Sequence, residues 1–427
     1  MKKNLNDWLS HLETAHSAGL IDMGLSRVGE VKNTMRLNPQ CPVIVVAGTN
    51  GKGSVCAFLS QIYKEAGFKT GTLTSPHLLK FNERICVNTQ PVSDEEIVAA
   101  FERIEAARGD ISLTYFEFNT LAAVDIFMRS QVDVMILEVG LGGRLDAVNI
   151  FDADVSVVTS IDLDHQSFLG DTIEQVGYEK AGVFRSGKPA ICGQNPPPES
   201  LRKHAEAIGA DLLLIGEDFS YTKLENQQWS YRFHPNPQFS DRHTRNRNAL
   251  PIPALRGAYQ INNAACALTV IECLNQQLPI DIGAIKRGLL MVHNPGRFQV
   301  LPGRPLTVLD VGHNPHAARA LRQGLMALPF AQNRTAVFSM LNDKDIDSVL
   351  AILKDQFDEW HIAPLHLPRG MASEQLVEKL AAHDISNVKQ FENIAKAYDA
   401  AFAAASENDR IVVFGSFHTV AEVMGTL

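Results

Sequence analysis

Short runs of β-branched and other apolar residues alternate with helical patterns along the first half of the chain. These runs predict strands at residues 42–48, 132–140, 154–162 and 188–193. Strands that alternate with helices in this way form a parallel sheet whose two faces are covered. The pattern therefore predicts an α/β fold.

The alternation is interrupted between about residues 217 and 253. Residues 218–237 alternate polar with aromatic side chains, and residues 241–248 are almost wholly polar. Period-two alternation is typical of strands with one buried face. We expect a hairpin-like insertion followed by an exposed loop.

A second α/β alternation begins beyond the turn-forming segment HNPGRF, residues 293–298. Two predicted helices, starting near residues 259 and 281, precede this segment. Strands are predicted after it at residues 306–312, 335–340, 359–364 and 410–416, with helical segments between them. The sequence therefore predicts a first domain over 1–295 and a second, smaller α/β domain over 296–427.

The clearest chemical signal lies where the first predicted strand runs into the segment 48–54, GTNGKGS, and then into a helix. Glycines let backbone N–H groups approach phosphate oxygens, and Lys52 adds a positive charge. The strict phosphate-loop pattern would need glycine at Val46 and a hydroxyl at Gly53, so this loop departs from it and carries its hydroxyl on Ser54. The context predicts phosphate binding, against the alternative of a turn that binds nothing.

Two later strands also end in polar residues. The strand at 132–140 carries Glu138 near its end, where nucleotide-binding sheets place a magnesium ligand. The strand at 154–162 is followed by Asp164 and His165. Because parallel strands end at the same edge of a sheet, we expect these groups to gather beside the phosphate loop. A solvated strand end and a packing histidine are the alternatives.

The second alternation has a polar junction of its own. The segment LDVGHNPHA places Asp310, His313, Asn314 and His316 between a strand and a helix, and Arg297 lies in the linker before it. We expect contacts from a second domain across a cleft. The alternative is that HNP forms only a turn and a helix cap.

Composition narrows the functional classes. The chain has 427 residues, of which 45% are hydrophobic and 20% charged, within the ordinary range of folded proteins. A formal net charge of −9 argues against a broad nucleic-acid-binding face. We expect neither an export signal nor a membrane anchor. The six cysteines show no CxxC or zinc-ligand spacing, so we expect reduced thiols and a cytoplasmic location.

Eight motifs together resemble the folylpolyglutamate synthase and dihydrofolate synthase family, whose members are similar to the Mur ligases. In chain order they are GTNGKGS, TSPHL, EVGLGGRLDAVN, DLDHQSFLG, EKAG, NPGRFQ, LDVGHNPHA and DKD. The resemblance implies a P-loop-containing, ATP- and pterin-binding N-terminal domain of the Mur central type over 1–295. It also implies a smaller Rossmann-like C-terminal glutamate ligase domain over 296–427, with the active site between the two.

The resemblance also implies roles for individual residues. It makes Gly51, Lys52, Gly53 and Ser54 the ATP-phosphate loop, with ATP contacts from Asn263, Arg297 and Asp310. It makes Ser75, Glu138 and His165 magnesium ligands. Lys180, which the residues alone would equally allow as a surface charge, matches a lysine that is carbamylated in such ligases and then holds a second magnesium ion. Lys52, His165 and Lys180 are the implied catalytic residues.

For the pterin, the resemblance points to three segments. They are Gly24, Leu25, Ser26 and Arg27, then Phe116 and Glu117, then Leu145, Asp146 and Ala147. The aromatic ring of Phe116 could equally belong to the core. One departure from the family pattern is Tyr259, where many relatives carry histidine.

The implied activity is the ATP-dependent ligation of L-glutamate to dihydropteroate and to tetrahydrofolate polyglutamates through an acyl phosphate. The implied enzyme is a monomer that forms carbon–nitrogen bonds, uses ATP and Mg²⁺, and acts on small molecules. The alternatives are a monofunctional folate or Mur-type amino-acid ligase and, more distantly, a P-loop regulatory ATPase that ligates nothing.

Overall fold

The structure is a computed structural model that describes residues 3–15, 24–235, 243–257 and 259–427. Contacts between residues divide the chain into two compact units. Unit 1 comprises Met1–His77, Phe81–Ala254 and Ile261–Val292, and unit 2 comprises Leu78–Lys80, Leu255–Gln260 and His293–Leu427. In the described part of the chain, no helix is both long and apolar enough to cross a bilayer.

Unit 1 is built around a predominantly parallel sheet with helices packed against it. The helices of this unit are α1 Leu5–Ala15, α2 Ser26–Met35, α3 Lys52–Glu65, α4 Asp94–Arg108, α5 Tyr115–Arg129, α6 Gln166–Leu169, α7 Ile173–Ala181, α8 Glu199–Ile208, α9 Gln260–Leu274 and α10 Ile282–Met291. The strands are β1 Val43–Ala47, β2 Thr70–Leu73, β3 Ile85–Val87, β4 Gln90–Pro91, β5 Val134–Glu138, β6 Val155–Val158, β7 Pro189–Cys192, β8 Asp211–Leu214, β9 Phe219–Leu224, β10 Gln228–Phe233 and β11 Arg245–Pro251.

The main sheet has eight strands in the order β4-β3-β2-β5-β1-β6-β7-β8. Strands β2, β5, β1, β6, β7 and β8 run parallel, and β3 and β4 extend the sheet antiparallel at one edge. Val46 of β1 lies opposite Glu138 of β5 on one side and Val157 of β6 on the other. The carboxyl ends of these three strands therefore meet, which confirms the α/β prediction and brings their following loops together.

Strands β9, β10 and β11 form a separate antiparallel sheet. The predicted hairpin is present as β9 and β10. The prediction of an exposed loop over 241–248 is wrong for residues 245–248, because β11 begins at Arg245; residues 241 and 242 lie outside the described part. The polar composition of this segment gave no sign of a strand. Its Arg247 pairs with the carboxylate of Glu272, whose side chain is 1% exposed.

Unit 2 has a six-stranded sheet in the order β12-β13-β17-β14-β15-β16, in which only the first pair is antiparallel. The strands are β12 Gln299–Val300, β13 Leu306–Asp310, β14 Arg334–Phe338, β15 Glu359–Ile362, β16 Val388–Gln390 and β17 Arg410–Phe414. The helices are α11 Pro315–Met326, α12 Ile346–Leu353, α13 Ser373–Ala382, α14 Ile394–Ala404 and α15 Phe417–Met424. Two apolar clusters bury residues of this sheet, as expected for an α/β layer arrangement.

Candidate active site

The loop between β1 and α3 needs glycine at two positions. Gly48 has a φ of 146°, and a Cβ atom there would lie 1.9 Å from Oγ1 of Thr159. Gly51 has a φ of 90°, and its Cβ would lie 2.6 Å from Oδ1 of Asn263 on α9. Side chains rarely adopt such φ values. The glycines therefore allow the loop to fit against residues that follow β6 and against Asn263.

Hydrogen bonds hold this loop to the chain that follows β6. The N–H of Thr49 donates to the carbonyl of Ser160 at 2.7 Å, and the N–H of Asn50 donates to the Ser160 hydroxyl at 3.1 Å. The Thr49 hydroxyl donates to the Asp162 carbonyl and accepts from the Asp162 N–H, each at 3.0 Å. Ser160 was missed at the sequence level, although its hydroxyl stands at a strand end. These hydrogen bonds fix the backbone of Thr49 and Asn50 against the segment that follows β6.

Lys52 is the first residue of α3 and lies at the mouth of the loop. Its Nζ donates to the carbonyls of Gly48 at 3.0 Å and Thr49 at 3.4 Å. Gly51 is the N-cap of the helix and has no side chain to accept from the first-turn N–H groups. A helix N-terminus with a lysine beside it attracts anions. The arrangement suits the phosphates of a nucleotide.

Glu138 and Ser75 lie side by side next to this loop. Glu138 ends β5, is 3% exposed, and accepts a hydrogen bond at Oε2 from the N–H of Ser75 at 3.1 Å. Ser75 follows β2, which is the neighbour of β5 in the sheet. A carboxylate and a hydroxyl are oxygen donors of the kind that Mg²⁺ accepts, with water completing its coordination. The two residues fit a divalent cation beside bound phosphates.

His165 is the N-cap of the short helix α6 and has a φ of 52°. Its N–H donates to Oδ1 of Asp164 at 2.9 Å, and its Nε2 lies 3.9 Å from the same oxygen. The described residues include no group of three or more His, Cys, Asp or Glu side chains suited to a metal ion. The role of His165 as a third ligand with Ser75 and Glu138 stays a prediction.

Lys180 lies in the last turn of α7 and is only 3% exposed. The surface-charge alternative for this lysine is therefore wrong. The pKa of Lys180 is lowered from 10.5 to about 7, mainly by burial and also by the charge of Lys52, while Asp164 and Asp146 act against the shift. A large share of this amine is consequently neutral, and nucleophilic, near pH 7.

Two of the predicted pterin contacts bond to each other. Nη2 of Arg27, on α2, donates to Oε1 of Glu117, on α5, at 3.1 Å. The other carboxylate oxygen of Glu117 accepts from the N–H of Thr114 at 2.7 Å and completes a capping box at the start of α5. Phe116 is half-buried, and its ring would lie 2.8 Å from a Cβ atom on Gly140. This ring is therefore packed against the glycine segment that follows β5.

Asp146 is buried, and both of its carboxylate oxygens accept backbone hydrogen bonds. Oδ2 accepts from the N–H of Leu141 at 2.9 Å, and Oδ1 accepts from the N–H of Val148 at 3.0 Å. Burial raises the pKa of Asp146 to about 6 against these hydrogen bonds. Its neighbours Leu145 and Ala147 are half-buried and buried, respectively.

The segment that opens α2 lies near this region because α2 packs against α5 and against the 3₁₀ helix Ala147–Ile150. Gly24 and Leu25 are half-buried, and Ser26 is exposed. Packing therefore gathers the three predicted pterin segments in one part of unit 1.

The predicted ATP contacts of unit 2 also have defined positions. The guanidinium of Arg297 lies 4.9 Å from the centre of the Phe417 ring. The Asp310 carboxylate accepts from the N–H groups of Phe298 at 2.9 Å and Gly312 at 2.7 Å. Burial raises the pKa of Asp310. Asp310 thus fixes the backbone directly after Arg297.

The HNP segment of unit 2 does form a helix cap. Oδ1 of Asn314 accepts from the N–H of Ala317 at 2.9 Å at the start of α11. His316 stacks on Tyr259 with ring centroids 4.9 Å apart and an interplanar angle of 26°. Asn314 therefore has a structural role, and a ligand contact by this segment stays a prediction.

Two family models match the chain. Residues 46–271 match the Mur ligase middle domain, and residues 296–417 match the glutamate ligase domain of Mur ligases. A dihydrofolate synthase/folylpolyglutamate synthase of Escherichia coli K12 is 46% identical over 421 residues, which cover 98% of this chain and 94% of the relative.

Solved structures are similar over almost the whole chain. Escherichia coli FolC in complex with DHPP and ADP superposes with a TM-score of 0.91 at 45% identity, covering 99% of this chain and 97% of that one. A bifunctional folylpolyglutamate synthase/dihydrofolate synthase with Mn, AMPPNP and L-glutamate bound has a TM-score of 0.89 at 42% identity, with coverages of 99% and 98%.

Proposed function

The chain belongs to the dihydrofolate synthase/folylpolyglutamate synthase family of Mur ligases, and from this premise we propose how its residues carry out the ligation. The protein is an ATP-dependent ligase that joins L-glutamate to a folate-type carboxylate, and it uses a divalent metal ion. Residues 1–295 act as the ATP- and pterin-binding domain and residues 296–427 as the glutamate ligase domain. Dihydropteroate and tetrahydrofolate polyglutamates are both acceptors.

The phosphate loop is the observation that carries this proposal. A carboxylate does not condense with an amine in water at neutral pH, so the terminal phosphate of ATP is transferred to the carboxylate and gives an acyl phosphate. The neutral glutamate amine attacks the acyl carbon, the C–N bond forms as the C–O bond to phosphate breaks, and phosphate and one proton are released. Phosphoryl transfer depends mostly on positioning and charge neutralisation. Gly51, Lys52, Gly53 and Ser54 supply the backbone donors, the cation and the hydroxyl for that step.

Ser75, Glu138 and His165 would hold the divalent cation. The cation supplies neutralisation of the phosphate charge when it is bound. Support for this set comes from the hydrogen bond between Ser75 and Glu138 and from the position of Glu138 opposite Val46 in the sheet.

Lys180 reacts with carbon dioxide in this proposal. Its neutral amine forms a C–N bond with CO₂ and releases one proton, which leaves a carbamate. The modification converts the buried amine into an anion that can hold a second metal ion. The burial of Lys180 and its pKa of about 7 support the reaction, because only the neutral amine is nucleophilic.

The pterin is bound by Gly24, Leu25, Ser26, Arg27, Phe116, Glu117, Leu145, Asp146 and Ala147. The hydrogen bond between Arg27 and Glu117 orients two polar groups for a heterocycle that carries both donors and acceptors. ATP is further contacted by Asn263, Arg297 and Asp310. Asn263 already lies against the phosphate loop at Gly51.

The protein works as a monomer in the cytoplasm on small molecules, without nucleic-acid or membrane partners. The six cysteines are free thiols, which accords with a reducing compartment. Light scattering on a size-exclusion column tests the monomer, for which one chain mass is expected at micromolar concentration.

The activity assay measures phosphate release with Mg²⁺, ATP and L-glutamate, with dihydropteroate or tetrahydrofolate as the acceptor and mass spectrometry of the products. Glutamyl products from both acceptors are expected. Product from one acceptor only would limit the enzyme to that branch. Glutamate-independent ATP hydrolysis with no product would contradict the ligase assignment.

A further inference from the structure

The glycine segment that follows β5 packs directly on the last turn of α7, which carries Lys180. A Cβ atom on Gly143 would lie 2.9 Å from the carbonyl oxygen of Glu179 and 3.0 Å from that of Lys180. The N–H of Arg144 donates to the same Glu179 carbonyl at 2.8 Å. The two backbones therefore meet at the residue before Lys180.

The side chains of Arg144 and Glu179 join the same two segments. Nε and Nη2 of Arg144 donate to Oε1 of Glu179 at 3.1 and 2.8 Å. The guanidinium also lies 5.8 Å from the centre of the Tyr178 ring, one residue earlier on α7. Charge-assisted hydrogen bonds of this type are about twice as strong as neutral ones. The pair fixes the approach of the helix to the glycine segment.

Asn149 links the same two segments on the other side of Lys180. Its Nδ2 donates to the carbonyl of Arg144 at 2.9 Å and to the carbonyl of Gly182, the C-cap of α7, at 3.0 Å. A Cβ atom on Gly182 would lie 2.3 Å from Cβ of Arg144. The backbone on both sides of Lys180 is consequently held by the segment that contains Arg144.

We propose that Arg144 and Glu179 are positioning residues for Lys180. A lysine side chain has four rotatable bonds, so the location of its Nζ is only as well defined as the backbone from which it extends. The Arg144–Glu179 pair fixes that backbone and thereby sets the fraction of Lys180 that is converted to its carbamate. The inference rests on the carbamylation in the proposed function.

The test uses the full-length protein equilibrated with ¹³C-bicarbonate and follows the carbamate carbon by NMR, normalised to the folded protein measured by circular dichroism. The variants are Arg144→Lys, which keeps the charge but loses the paired donors, and Glu179→Gln, which keeps the shape. Arg334→Lys is the matched control, because Arg334 makes the same type of forked pair in unit 2, where its Nε and Nη2 donate to Oδ2 and Oδ1 of Asp358 at 3.0 and 2.8 Å.

We expect the wild type and the Arg334→Lys variant to give equal carbamate signals. Arg144→Lys and Glu179→Gln should lower the signal severalfold and kcat about tenfold, the low end for residues that support a metal ligand. Raised bicarbonate should restore part of the loss, and the KM for ATP should stay unchanged. A merely structural ion pair would lower stability without changing the normalised carbamate signal.

Two contrary results have different meanings. If the wild type gives no carbamate signal, the carbamylation of Lys180 in the proposed function is wrong, and the inference falls with it. If the wild type gives the signal and both variants match it at equal bicarbonate, only the positioning role is wrong. An equal loss of the carbamate signal in the Arg334→Lys control would also overturn the positioning role.

Discussion

Replacing Lys180 by methionine should stabilise unit 1 while abolishing ligation. The unfolded chain holds the lysine proton up to a pH near 10.5, whereas the folded chain releases it near 7. Between these values folding releases a proton, so the wild type gains stability as the pH rises. Methionine has a similar length and no charge to bury, so the stability of the Lys180→Met variant does not depend on pH in this way.

The size of the effect follows from the shift in pKa. A shift of one pKa unit corresponds to about 1.4 kcal/mol. The buried lysine therefore lowers the free energy of unfolding of the wild type by about 4 kcal/mol at pH 7 and by about 2 kcal/mol at pH 9. The free energy of unfolding of the Lys180→Met variant should therefore exceed that of the wild type by about 4 kcal/mol at pH 7. At pH 9 this difference should be smaller by about 2 kcal/mol.

Urea unfolding in CO₂-free buffer measures the difference, because carbamate formation would change the charge. Trp8 and Trp229 belong to unit 1 and Trp360 to unit 2, so a Trp360→Phe background makes the fluorescence report on unit 1. Lys203→Met is the control, since its side chain is 72% exposed and a change within about 0.5 kcal/mol is expected. A pH-independent difference, or a Lys180→Met variant less stable than the wild type, would refute the reasoning.

Further predictions concern the phosphate loop and the metal. Lys52→Ala should lower kcat on the order of a hundredfold or more with an unchanged circular dichroism spectrum; normal turnover would contradict the role of the loop. His165→Ala should raise the metal concentration for half-maximal activity by about tenfold, and an unchanged metal titration would remove it as a ligand. Gly51→Ala should weaken ATP binding in calorimetry. Gly67→Ala is its control, because Gly67 has a φ of 91° and nothing within 4 Å of its Cβ position, so the backbone strain is matched without the contact to Asn263. Equal affinities in the two glycine variants would show that this contact is unimportant.

The parts of the fold set by local pattern were predictable from the sequence. The strand before the phosphate loop follows from an apolar run, and the helix after it follows from the apolar residues Val55, Phe58, Leu59 and Ile62 at positions i, i+3, i+4 and i+7. Glu138 was expected at the strand end, where the structure has it. These features depend on residues close together in the chain, so a single sequence contains the information.

The features that depend on distant partners were not predictable in the same way. The burial of Lys180 results from packing of α7 against the segment around Gly143, which the periodicity of α7 does not reveal. The pairing of Arg27 with Glu117 joins residues 90 positions apart. Strand β11 was mistaken for a loop because the acid that accepts Arg247 lies on α9.

The link between the small antiparallel sheet and α9 limits how far this enzyme can be shortened. Glu272 lies on α9 and is buried, and its carboxylate pairs with Arg247 at 2.9 Å and with Arg245 at 3.3 Å, both from β11. Excising the three strands would remove both cations and would expose the side of α9 that carries Glu272 and the buried Thr269, whose hydroxyl is hydrogen-bonded to that of Tyr231 on β10. The same helix carries Asn263 to the phosphate loop. A minimised variant would therefore need polar residues along the exposed side of α9, so the sheet is an integral part of the domain.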